Sequence, residues 1–360
     1  MDWSPQQAKA LDAVASWFRD PSKKQVFRVF GYAGTGKTTL AQYFAREVGN
    51  VSFAAYTGKA AHVLEQKGCF GAKTIHSLIY KIDDDRDPTN PTFVLNPNSE
   101  IRWSDLIIID EVSMVDEEMA NDLLSFGKPV LVLGDPEQLP PIKGTGYFTN
   151  CEPDVLLTEI HRQARDNPII DLATRVREKQ RLKVGKYGDS EVITKLHFDH
   201  IQSADQILVG RNITRRRFNY HVRRHLGRES TFPLADERLI CLKNDRRRGL
   251  LNGQIWYTRS DSEEYQFSIA MELVSDDDSS RFNYVQAHKS YFETGEMPDP
   301  RTFNWHTHFD YAYAITVHKA QGSQWNSVII QDESDCFRKD KYRWLYTAIT
   351  RAAEKVTVVI

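Results

Sequence analysis

One eight-residue stretch constrains the fold of this 360-residue chain more than any other. Residues 31–38, GYAGTGKT, match the pattern G-x-x-x-x-G-K-[ST], and they lie between the apolar run VFRVF and a segment of helical character. Glycines at these positions let backbone N–H groups turn inward around a phosphate, and the N-terminus of the following helix adds positive potential. We therefore predict a nucleotide site here, with Lys37 on the β- and γ-phosphates and Thr38 on Mg²⁺, in preference to a chance glycine-rich turn. The nucleotide-binding residues predicted in this region are Gly31, Ala33, Gly34, Thr35, Gly36, Lys37, Thr38 and Thr39.

Acidic residues follow a second apolar run, LIII at 106–109. Asp110 is predicted to hold Mg²⁺ and Glu111 to orient or deprotonate the attacking water, since a hydrolytic site needs a carboxylate for each task. The alternative for this pair is an exposed acidic turn. A third run, LVLG, ends a few residues before Gln138, whose amide we expect near the same phosphates, where it would sense the γ-phosphate. Lys37, Asp110, Glu111 and Gln138 are the catalytic residues predicted from these motifs.

The apolar runs also indicate the fold class. They are short, rich in β-branched residues and continuous rather than alternating, which favours strands buried on both faces. Helical segments separate them, and strand and helix in alternation predict an α/β fold with a parallel sheet. The pattern returns in the second half of the chain, so we predict two parallel-sheet domains with a cleft between them. The runs are 26–30, 51–55, 106–109 and 130–133 in the first half, and 206–209, 313–317, 328–330 and 356–360 in the second.

Two segments depart from this alternation of strands and helices. Residues 81–101 are rich in Asp, Pro and Asn, and we predict a small protruding β-hairpin there. From about residue 235 to residue 304, apolar and polar residues alternate loosely between acidic turn-like stretches, which predicts a small inserted β-barrel. The predicted boundaries are 1–80 and 102–152 for the first domain, 81–101 for the hairpin, 153–234 and 305–360 for the second domain, and 235–304 for the barrel.

The charge balance limits how a polyanion can be held. With 47 Lys and Arg against 49 Asp and Glu, the chain does not bind nucleic acid by bulk attraction, but a local patch remains open to it. Residues 211–228 contain seven arginines and no acidic residue. Two interpretations stay open for this basic segment. It follows a phosphate backbone, with Phe218 or Tyr220 near bases, or it is a solvated helix whose charges pair with acidic neighbours such as Asp276 to Asp278.

Cysteine usage and hydropathy exclude other classes. The four cysteines, at positions 69, 151, 241 and 336, are far apart, so neither a disulfide framework nor a compact zinc site is indicated. No stretch approaches the roughly 18 apolar residues of a membrane span, and the first ten residues lack the character of an export signal. We expect a cytoplasmic protein without a membrane partner, or one of the host cytoplasm if the chain is phage-encoded.

Taken in order, these motifs resemble those of the superfamily 1 DNA helicases, in particular the compact Dda-like and RecD-like branch called superfamily 1B. The likeness extends through nearly the whole chain. The segment WSPQQAKA at 3–10 resembles the family's adenine-reading segment, with Gln7 as the partner of the base; the alternative is a solvated surface glutamine. TGKAA at 57–61 resembles the first strand-contacting motif, and TIHSL at 74–78 resembles the next one, which touches single-stranded DNA in the family.

The second half carries the family's remaining motifs. LTEIHRQ at 157–163 resembles motif IV, ITVHKAQGSQW at 315–325 resembles motif V, and YTAITRA at 346–352 resembles motif VI. The resemblance makes Arg162 and Arg351 the arginine fingers that reach the γ-phosphate across the cleft, and the alternative for each is a surface salt bridge. Gln324 departs from the pattern. Relatives often place a glutamate there that helps to bind the nucleotide sugar, so this contact loses a charge.

The resemblance implies a fold and a function together. The fold would be two RecA-like parallel-sheet P-loop NTPase domains, with a strand-separating pin at the hairpin and an SH3-like barrel in the second domain. The function would be ATP- and Mg²⁺-dependent translocation on single-stranded DNA, 5′-to-3′, with unwinding of duplex DNA in replication, repair or recombination. A small-molecule kinase and a non-hydrolysing nucleotide switch are the alternatives. The DNA contacts implied are Thr57, Lys59, His76, Phe93, Thr316 and His318.

Phe93 has two interpretations within the predicted hairpin, as a wedge that stacks on the last base pair or as an anchor to its own domain. The partners implied are single-stranded, duplex and forked DNA, and a single-strand-binding or replication protein. All the motifs lie in one chain, so a monomer is expected to function.

Overall fold

A computed structural model describes most of the chain. Arg162, predicted as an arginine finger, lies outside the described residues, as do residues 83–92 of the predicted hairpin. The described residues are 3–20, 22, 24–82, 93–140, 146–160, 166–243, 245, 248–250, 252–276, 280–295 and 307–360.

Helices and strands alternate through both halves of the chain. The helices are α1 (Pro5–Arg19), α2 (Lys37–Arg46), α3 (Gly58–Gln66), α4 (Ile75–Ile79), α5 (Glu117–Leu124), α6 (Pro168–Arg177), α7 (Phe198–Gln202), α8 (Asn212–His225), α9 (Ser290–Glu293), α10 (Val317–Ala320) and α11 (Lys341–Ile349). Short 3₁₀ helices cover Glu100–Trp103, Val112–Met114 and Ser334–Asp340. The strands are β1 (Val26–Gly31), β2 (Val51–Ala55), β3 (Lys73–Thr74), β4 (Tyr80–Ile82), β5 (Phe93–Leu95), β6 (Leu106–Asp110), β7 (Val130–Gly134), β8 (Val155–Leu157), β9 (Gly185–Tyr187), β10 (Ser190–Ile193), β11 (Gln206–Val209), β12 (Arg238–Cys241), β13 (Ile255–Thr258), β14 (Glu263–Glu264), β15 (Ser268–Ser275), β16 (Phe282–His288), β17 (Phe309–Tyr311), β18 (Ala314–Thr316), β19 (Trp325–Gln331) and β20 (Ala352–Val359).

The first domain is built on a parallel sheet with the strand order β3-β2-β6-β7-β1-β8. Its central strands are apolar on both faces, and β7 is buried along its whole length. The register pairs Phe30 with Gly134 and Ala55 with Asp110, so the strands end at one edge of the sheet. The segments that follow β1, β6 and β7 therefore meet at that edge, which is where the sequence motifs lie.

The second domain repeats this design. Its sheet has the order β18-β11-β19-β20-β10-β9, parallel except for the antiparallel pair of β9 and β10. Helices α6 and α11 pack on one face through a core that includes Trp344, Val328 and Val358. Helix α8 packs on the other face through a smaller core that includes Val222 and Ile207. The predicted α/β fold with two parallel sheets is confirmed.

A two-stranded antiparallel ladder lies in the first half of the chain, outside the six-stranded sheet of the first domain. It pairs Tyr80 with Leu95 and Ile82 with Phe93, within the region where the sequence predicts a hairpin. The ladder begins one residue before the predicted start at 81. It ends well before 101, because residues Glu100–Trp103 turn into a 3₁₀ helix and Ile101 is buried in the core of the first domain.

The second insertion is an antiparallel sheet of β12 to β17, in which β15 and β16 form the longest pair. An isolated bridge between Ala287 and Thr307 joins the end of β16 to the residues just before β17, so the sheet curls back towards itself. The predicted end at 304 is wrong. Strand β17 pairs with β12, so the insertion's sheet extends to Tyr311.

The basic segment 211–228 forms α8 and its flanks, and it joins the second insertion to the second domain. Three of its arginines are bound to carboxylates, which confirms in part the interpretation of a paired helix. The carboxylates that pair with these arginines among the described residues come from other elements than the predicted Asp276 to Asp278, of which Asp277 and Asp278 lie outside the described residues. The pairs are Arg211 with Glu333 at 2.7 Å, Arg215 with Asp310 at 2.6 Å and Arg223 with Glu237 at 2.6 Å.

Across the part of the chain that the structure describes, no helix has the length and apolar character that spanning a membrane requires.

Candidate functional site at the domain boundary

The phosphate loop connects β1 to α2. Gly34 and Gly36 have φ angles of 77° and 80°, in the left-handed region where a side chain would be strained. The Lys37 ammonium lies back across the loop and donates to the carbonyl oxygens of Gly31 at 2.7 Å and Tyr32 at 3.1 Å. This conformation places the cation over the concave side of the loop, where the phosphates of a nucleotide would replace the two carbonyls as its partners.

Two oxygen ligands suited to Mg²⁺ meet beside this loop. The Thr38 hydroxyl at the start of α2 donates to Asp110 Oδ2 at 2.8 Å. Burial, together with the neighbouring charge of Glu111, raises the pKa of Asp110, so a cation here would be favoured by the carboxylate's environment. Within the described ranges, no cluster of three or more His, Cys, Asp or Glu is placed to hold a metal alone. A hydroxyl and a carboxylate fit Mg²⁺, which takes its remaining ligands from water and substrate phosphates.

Glu111 is held from both domains. Its φ of 56° is unusual for a residue with a side chain, a kind of strain that clusters at functional sites. In the amide orientation that satisfies both neighbours, Gln138 donates to Glu111 Oε2 at 2.9 Å and accepts from Arg351 Nη2 at 3.3 Å. Arg351 Nη1 lies 3.7 Å from Glu111 Oε1. Three predicted catalytic residues therefore form one connected group, two from the first domain and one from the second.

Arg351 is preorganised for its position. It is only 4% exposed, and its guanidinium also donates to the carbonyl oxygens of Thr347 at 3.2 Å and Ser323 at 3.3 Å and to the Thr350 hydroxyl at 3.3 Å. These bonds come from its own domain and fix the planar group without neutralising its charge. The alternative of a surface salt bridge is excluded for Arg351.

Sequence reasoning missed Tyr346, which makes the most direct link between the domains. Its hydroxyl accepts the N–H of Ala33 in the phosphate loop at 2.9 Å and donates to Asp135 Oδ2 at 2.6 Å. Burial and the charge of Asp135 raise the pKa of Tyr346 well above its usual value, so the hydroxyl stays protonated. The available signal was the position of Tyr346 at the start of motif VI, but a tyrosine in an apolar helix is indistinguishable in sequence from a core residue.

Residues 2–197, more than half of the chain, match the family described as AAA domain. The chain belongs to this AAA-domain family. Residues 311–359 match the UvrD-like helicase C-terminal domain, and this range includes both motif V and motif VI in full.

Several curated relatives of this AAA-domain protein, RecD2 and dda among them, are ATP-dependent DNA helicases, which confirms the predicted resemblance. The chain is 26% identical over 384 residues to the ATP-dependent RecD2 DNA helicase of Deinococcus radiodurans, with 98% of this chain and 48% of the relative covered. It is 30% identical over 212 residues to the ATP-dependent DNA helicase dda of Enterobacteria phage T4, with 53% of this chain and 45% of the relative covered. The chain thus spans about half the length of these relatives.

Solved structures agree on the fold. A structure of two coordinating Pif1 helicases at forked double-stranded DNA aligns with a TM-score of 0.59 at 20% identity, covering 99% of this chain and 92% of that one. A Bacteroides Pif1 helicase in complex with ADP-AlF3 and single-stranded DNA aligns with a TM-score of 0.56 at 21% identity and the same coverage. At this identity the likeness establishes the α/β architecture of the AAA-domain protein.

Further bonds cross the domain boundary of this AAA-domain protein beside Tyr346. Leu139 N–H donates to the Thr347 hydroxyl at 2.9 Å, and the Gln321 amide donates to Leu139 O at 2.9 Å. Gly322 lies so close to the first domain that an added Cβ would meet Thr57 Oγ1 at 2.7 Å. Motifs V and VI therefore pack directly on the loops of the first domain.

Gln7 and Gln324, the residues predicted to contact the base and the sugar of the nucleotide, occupy different environments. Gln7 is 4% exposed, so the alternative of a solvated surface residue is wrong. Its amide donates to Thr35 O at 3.0 Å and its Oε1 accepts the N–H of Ser4 at 3.1 Å, which ties α1 to the phosphate loop. Gln324 is exposed and lines the cleft together with Lys37. Their contacts with a base or a sugar stay predictions.

The predicted DNA contacts of the first domain are not equally accessible. Thr57 caps α3, where its hydroxyl accepts the N–H of Ala60 at 3.2 Å. Lys59 is 9% exposed and its ammonium lies 5.2 Å from the ring centroid of Trp325 in the second domain. In this conformation Lys59 is buried at the domain boundary instead of facing an open strand path, because the aromatic ring attracts its charge.

His76 and Phe93 are brought together. Their ring centroids are 4.5 Å apart and nearly perpendicular, and Phe93 remains 43% exposed at the base of the hairpin. This contact favours the interpretation of Phe93 as an anchor to its own domain.

On the second domain, Thr316 is buried at the N-terminus of α10, while His318 is half-buried with its ring centroid 5.7 Å from that of Phe337. Burial lowers the pKa of His318, so the ring is neutral at physiological pH. The DNA-binding roles of Thr316 and His318 stay predictions.

Proposed function

We propose that this chain is an ATP-dependent DNA helicase that translocates on single-stranded DNA and unwinds duplex DNA. The observation that carries the proposal is the contact of Glu111 with both Gln138 and Arg351. Through this contact, the position of the second domain affects Glu111, the residue that would activate water. Such an arrangement suits a motor, in which hydrolysis must depend on the relative position of the domains and must change it.

Each residue of the cleft has a distinct task in the proposed hydrolysis. The N–H groups of the phosphate loop and the Lys37 ammonium hold the β- and γ-phosphates. Thr38 and Asp110 would hold Mg²⁺, which would supply positive charge beside the phosphate oxygens. Glu111 orients the attacking water and accepts its proton. Arg351 moves from Glu111 to the γ-phosphate, and Arg162 is proposed as a second arginine finger.

Loss of the γ-phosphate removes the partner of Arg351, so the domains reopen after each turnover. The protein would move along a DNA strand if the two domains alternate between strong and weak binding of it. Thr57 and His76 are the proposed DNA contacts of the first domain, and Thr316 and His318 those of the second. Lys59 joins them only when the domains separate enough to release it from Trp325. The proposed direction is 5′-to-3′.

Two insertions are proposed to act on the duplex. The hairpin would serve as the strand-separating pin, supported by the pairing of β4 with β5 outside the main sheet and by the anchoring of Phe93 on His76. The curled antiparallel sheet of β12 to β17 is proposed as an SH3-like barrel. The partners proposed are single-stranded and forked DNA, with a single-strand-binding or replication protein, and we propose that a monomer functions in the cytoplasm.

Unwinding of duplexes that carry a single tail tests this proposal. We expect strand separation with ATP and Mg²⁺ on a duplex with only a 5′ tail, none with only a 3′ tail, and none for Lys37→Ala on either substrate. Separation of the 3′-tailed duplex alone would contradict the direction. Absence of separation on both, by protein that hydrolyses ATP, would contradict the helicase function itself.

A further inference from the structure

Ion pairs within the fold neutralise only some of the arginines of the basic segment 211–228. Arg215 and Arg223 are largely buried and bound to Asp310 and Glu237, so they hold the second insertion to α8. The guanidinium of Arg228 is likewise directed inward, to the carbonyl oxygens of Ala235 and Asp236. The guanidinium groups of Arg215 and Arg223 therefore have little contact with solvent, and Arg228 is half-buried.

The outer face of α8 carries a different set of residues. Ile213, Arg217, Tyr220 and Arg224 follow one another at spacings of four, three and four positions, which places them in one stripe along the helix. All four are exposed, with Ile213 at 70% and Tyr220 at 55%. The stripe is about 16 Å long from the rise of an α-helix.

Arg217 and Arg224 of this stripe keep their charge available. Among the described residues, no carboxylate lies within 4.0 Å of either guanidinium. Arg224 donates to the Tyr220 hydroxyl at 3.2 Å, and its guanidinium carbon lies 5.7 Å from the Tyr220 ring centroid, so a cation and an exposed aromatic ring are presented together. Basic groups interleaved with aromatic rings are the combination that binds single-stranded nucleic acid, because phosphates pair with the cations and unpaired bases stack on the rings.

The stripe begins beside the predicted strand path. Helix α8 follows β11, and the register of β11 and β18 pairs Val209 with Thr316. The start of α8 therefore lies at the same sheet edge as the proposed DNA contacts Thr316 and His318. Helix α8 lies on the opposite face of the sheet from α11, which carries Tyr346. The stripe is thus continuous with the proposed DNA track and separate from the nucleotide cleft.

We propose that the stripe of Ile213, Arg217, Tyr220 and Arg224 binds single-stranded DNA beyond the sheet edge. The strand that passes Thr316 continues along α8, with its phosphates on the two arginines and a base on Tyr220. This inference rests on the proposed function. The stripe would be reached only by a strand longer than the one that Thr316 and His318 bind.

Binding of oligothymidylates of increasing length tests the stripe, with lengths of about 6, 12 and 24 nucleotides. The test variant is Arg217→Ala/Arg224→Ala. The matched control is Arg181→Ala/Lys183→Ala, which removes two exposed charges near β9, at the opposite end of the same sheet from β18. Fluorescence anisotropy at several salt concentrations gives the affinity and its salt dependence, and circular dichroism checks that each variant is folded.

For the longest strand, we expect the test variant to bind about tenfold more weakly, with a salt slope shallower by about 1.4, since each lost phosphate contact on a single strand removes roughly 0.7. For the shortest strand, we expect the affinity to change by less than about twofold. The control variant should match the unsubstituted protein at every length. Tyr220→Leu should weaken only the longer strands, by about fivefold, because a stacking ring is lost without loss of charge.

Equal weakening at every length, or unchanged binding of the longest strand by the test variant, would overturn the assignment of the stripe. A failure of the proposed function has a different appearance, because the unsubstituted protein would then bind none of the strands.

Discussion

Arg223 and Arg351 of the second domain are both buried and each pairs with a glutamate, but the two ion pairs differ in geometry. Arg223 donates to both oxygens of Glu237, at 2.6 and 2.9 Å, and the glutamate is fully buried. Arg351 approaches Glu111 only to 3.7 Å, and its hydrogen bonds go to neutral oxygens, three in its own domain and that of Gln138 in the first domain. The guanidinium of Arg223, which is fully paired in the interior, fixes the second insertion to the second domain. The guanidinium of Arg351, which is loosely paired at the domain boundary, keeps its positive charge available for a phosphate.

Removal of the boundary arginine should give the largest effect. Arg351→Ala is expected to lower kcat for ATP hydrolysis by about a thousandfold, the scale of an arginine finger, because the charge on the γ-phosphate loses its partner. Steady-state hydrolysis in saturating single-stranded DNA measures this change. The midpoint of thermal unfolding should move less than it does for Arg223→Ala, and the opposite order would break the comparison.

Removal of the interior arginine should instead affect folding. Arg223→Ala is expected to lower the free energy of unfolding by about 3–5 kcal/mol, because Glu237 would be left buried without a partner. Urea titration followed by circular dichroism measures the loss. The control is Arg223→Met/Glu237→Leu, which removes both charges and should recover most of the stability. If the single and double variants were equally unstable, the ion pair would not be the cause.

A smaller effect is expected from the tyrosine that links the domains. Tyr346→Phe removes only the hydroxyl that joins Ala33 and Asp135, and a lost hydrogen bond to a charged group should lower kcat by about tenfold. The fold should be retained, as a thermal melt would show. Tyr342→Phe on the same helix is the matched control, and equal rates for the two variants would remove Tyr346 from the coupling of the domains.

Local sequence patterns identified the parts of the site that come from single strand ends. The apolar runs placed Thr38 and Asp110 after two strands of one parallel sheet, β1 and β6, and the structure joins the two side chains at 2.8 Å although β7 lies between these strands. Gln138 likewise follows β7, the strand between them. These predictions succeeded because the order of parallel strands brings their carboxyl ends to one edge, whatever the details of packing.

Contacts between distant parts of the chain were not predictable. The partner of Arg211 is Glu333, 122 positions later, and no local pattern distinguishes it from the other acidic residues. Lys59 is buried against Trp325 because of how the domains pack, which its motif does not encode. Strand β17 joined the second insertion for the same reason, since its pairing with β12 is a long-range contact.

The central claim is that hydrolysis in the cleft depends on a strand held by both domains. The most direct measurement is the ATPase rate of the unsubstituted protein with and without single-stranded DNA, with Lys37→Ala as the inactive reference. The account predicts that the rate rises by at least about tenfold with DNA, because strand binding would fix the domain position at which Arg351 reaches the phosphate. A rate that is measurable, abolished by Lys37→Ala and unchanged by single-stranded DNA of any length would contradict it.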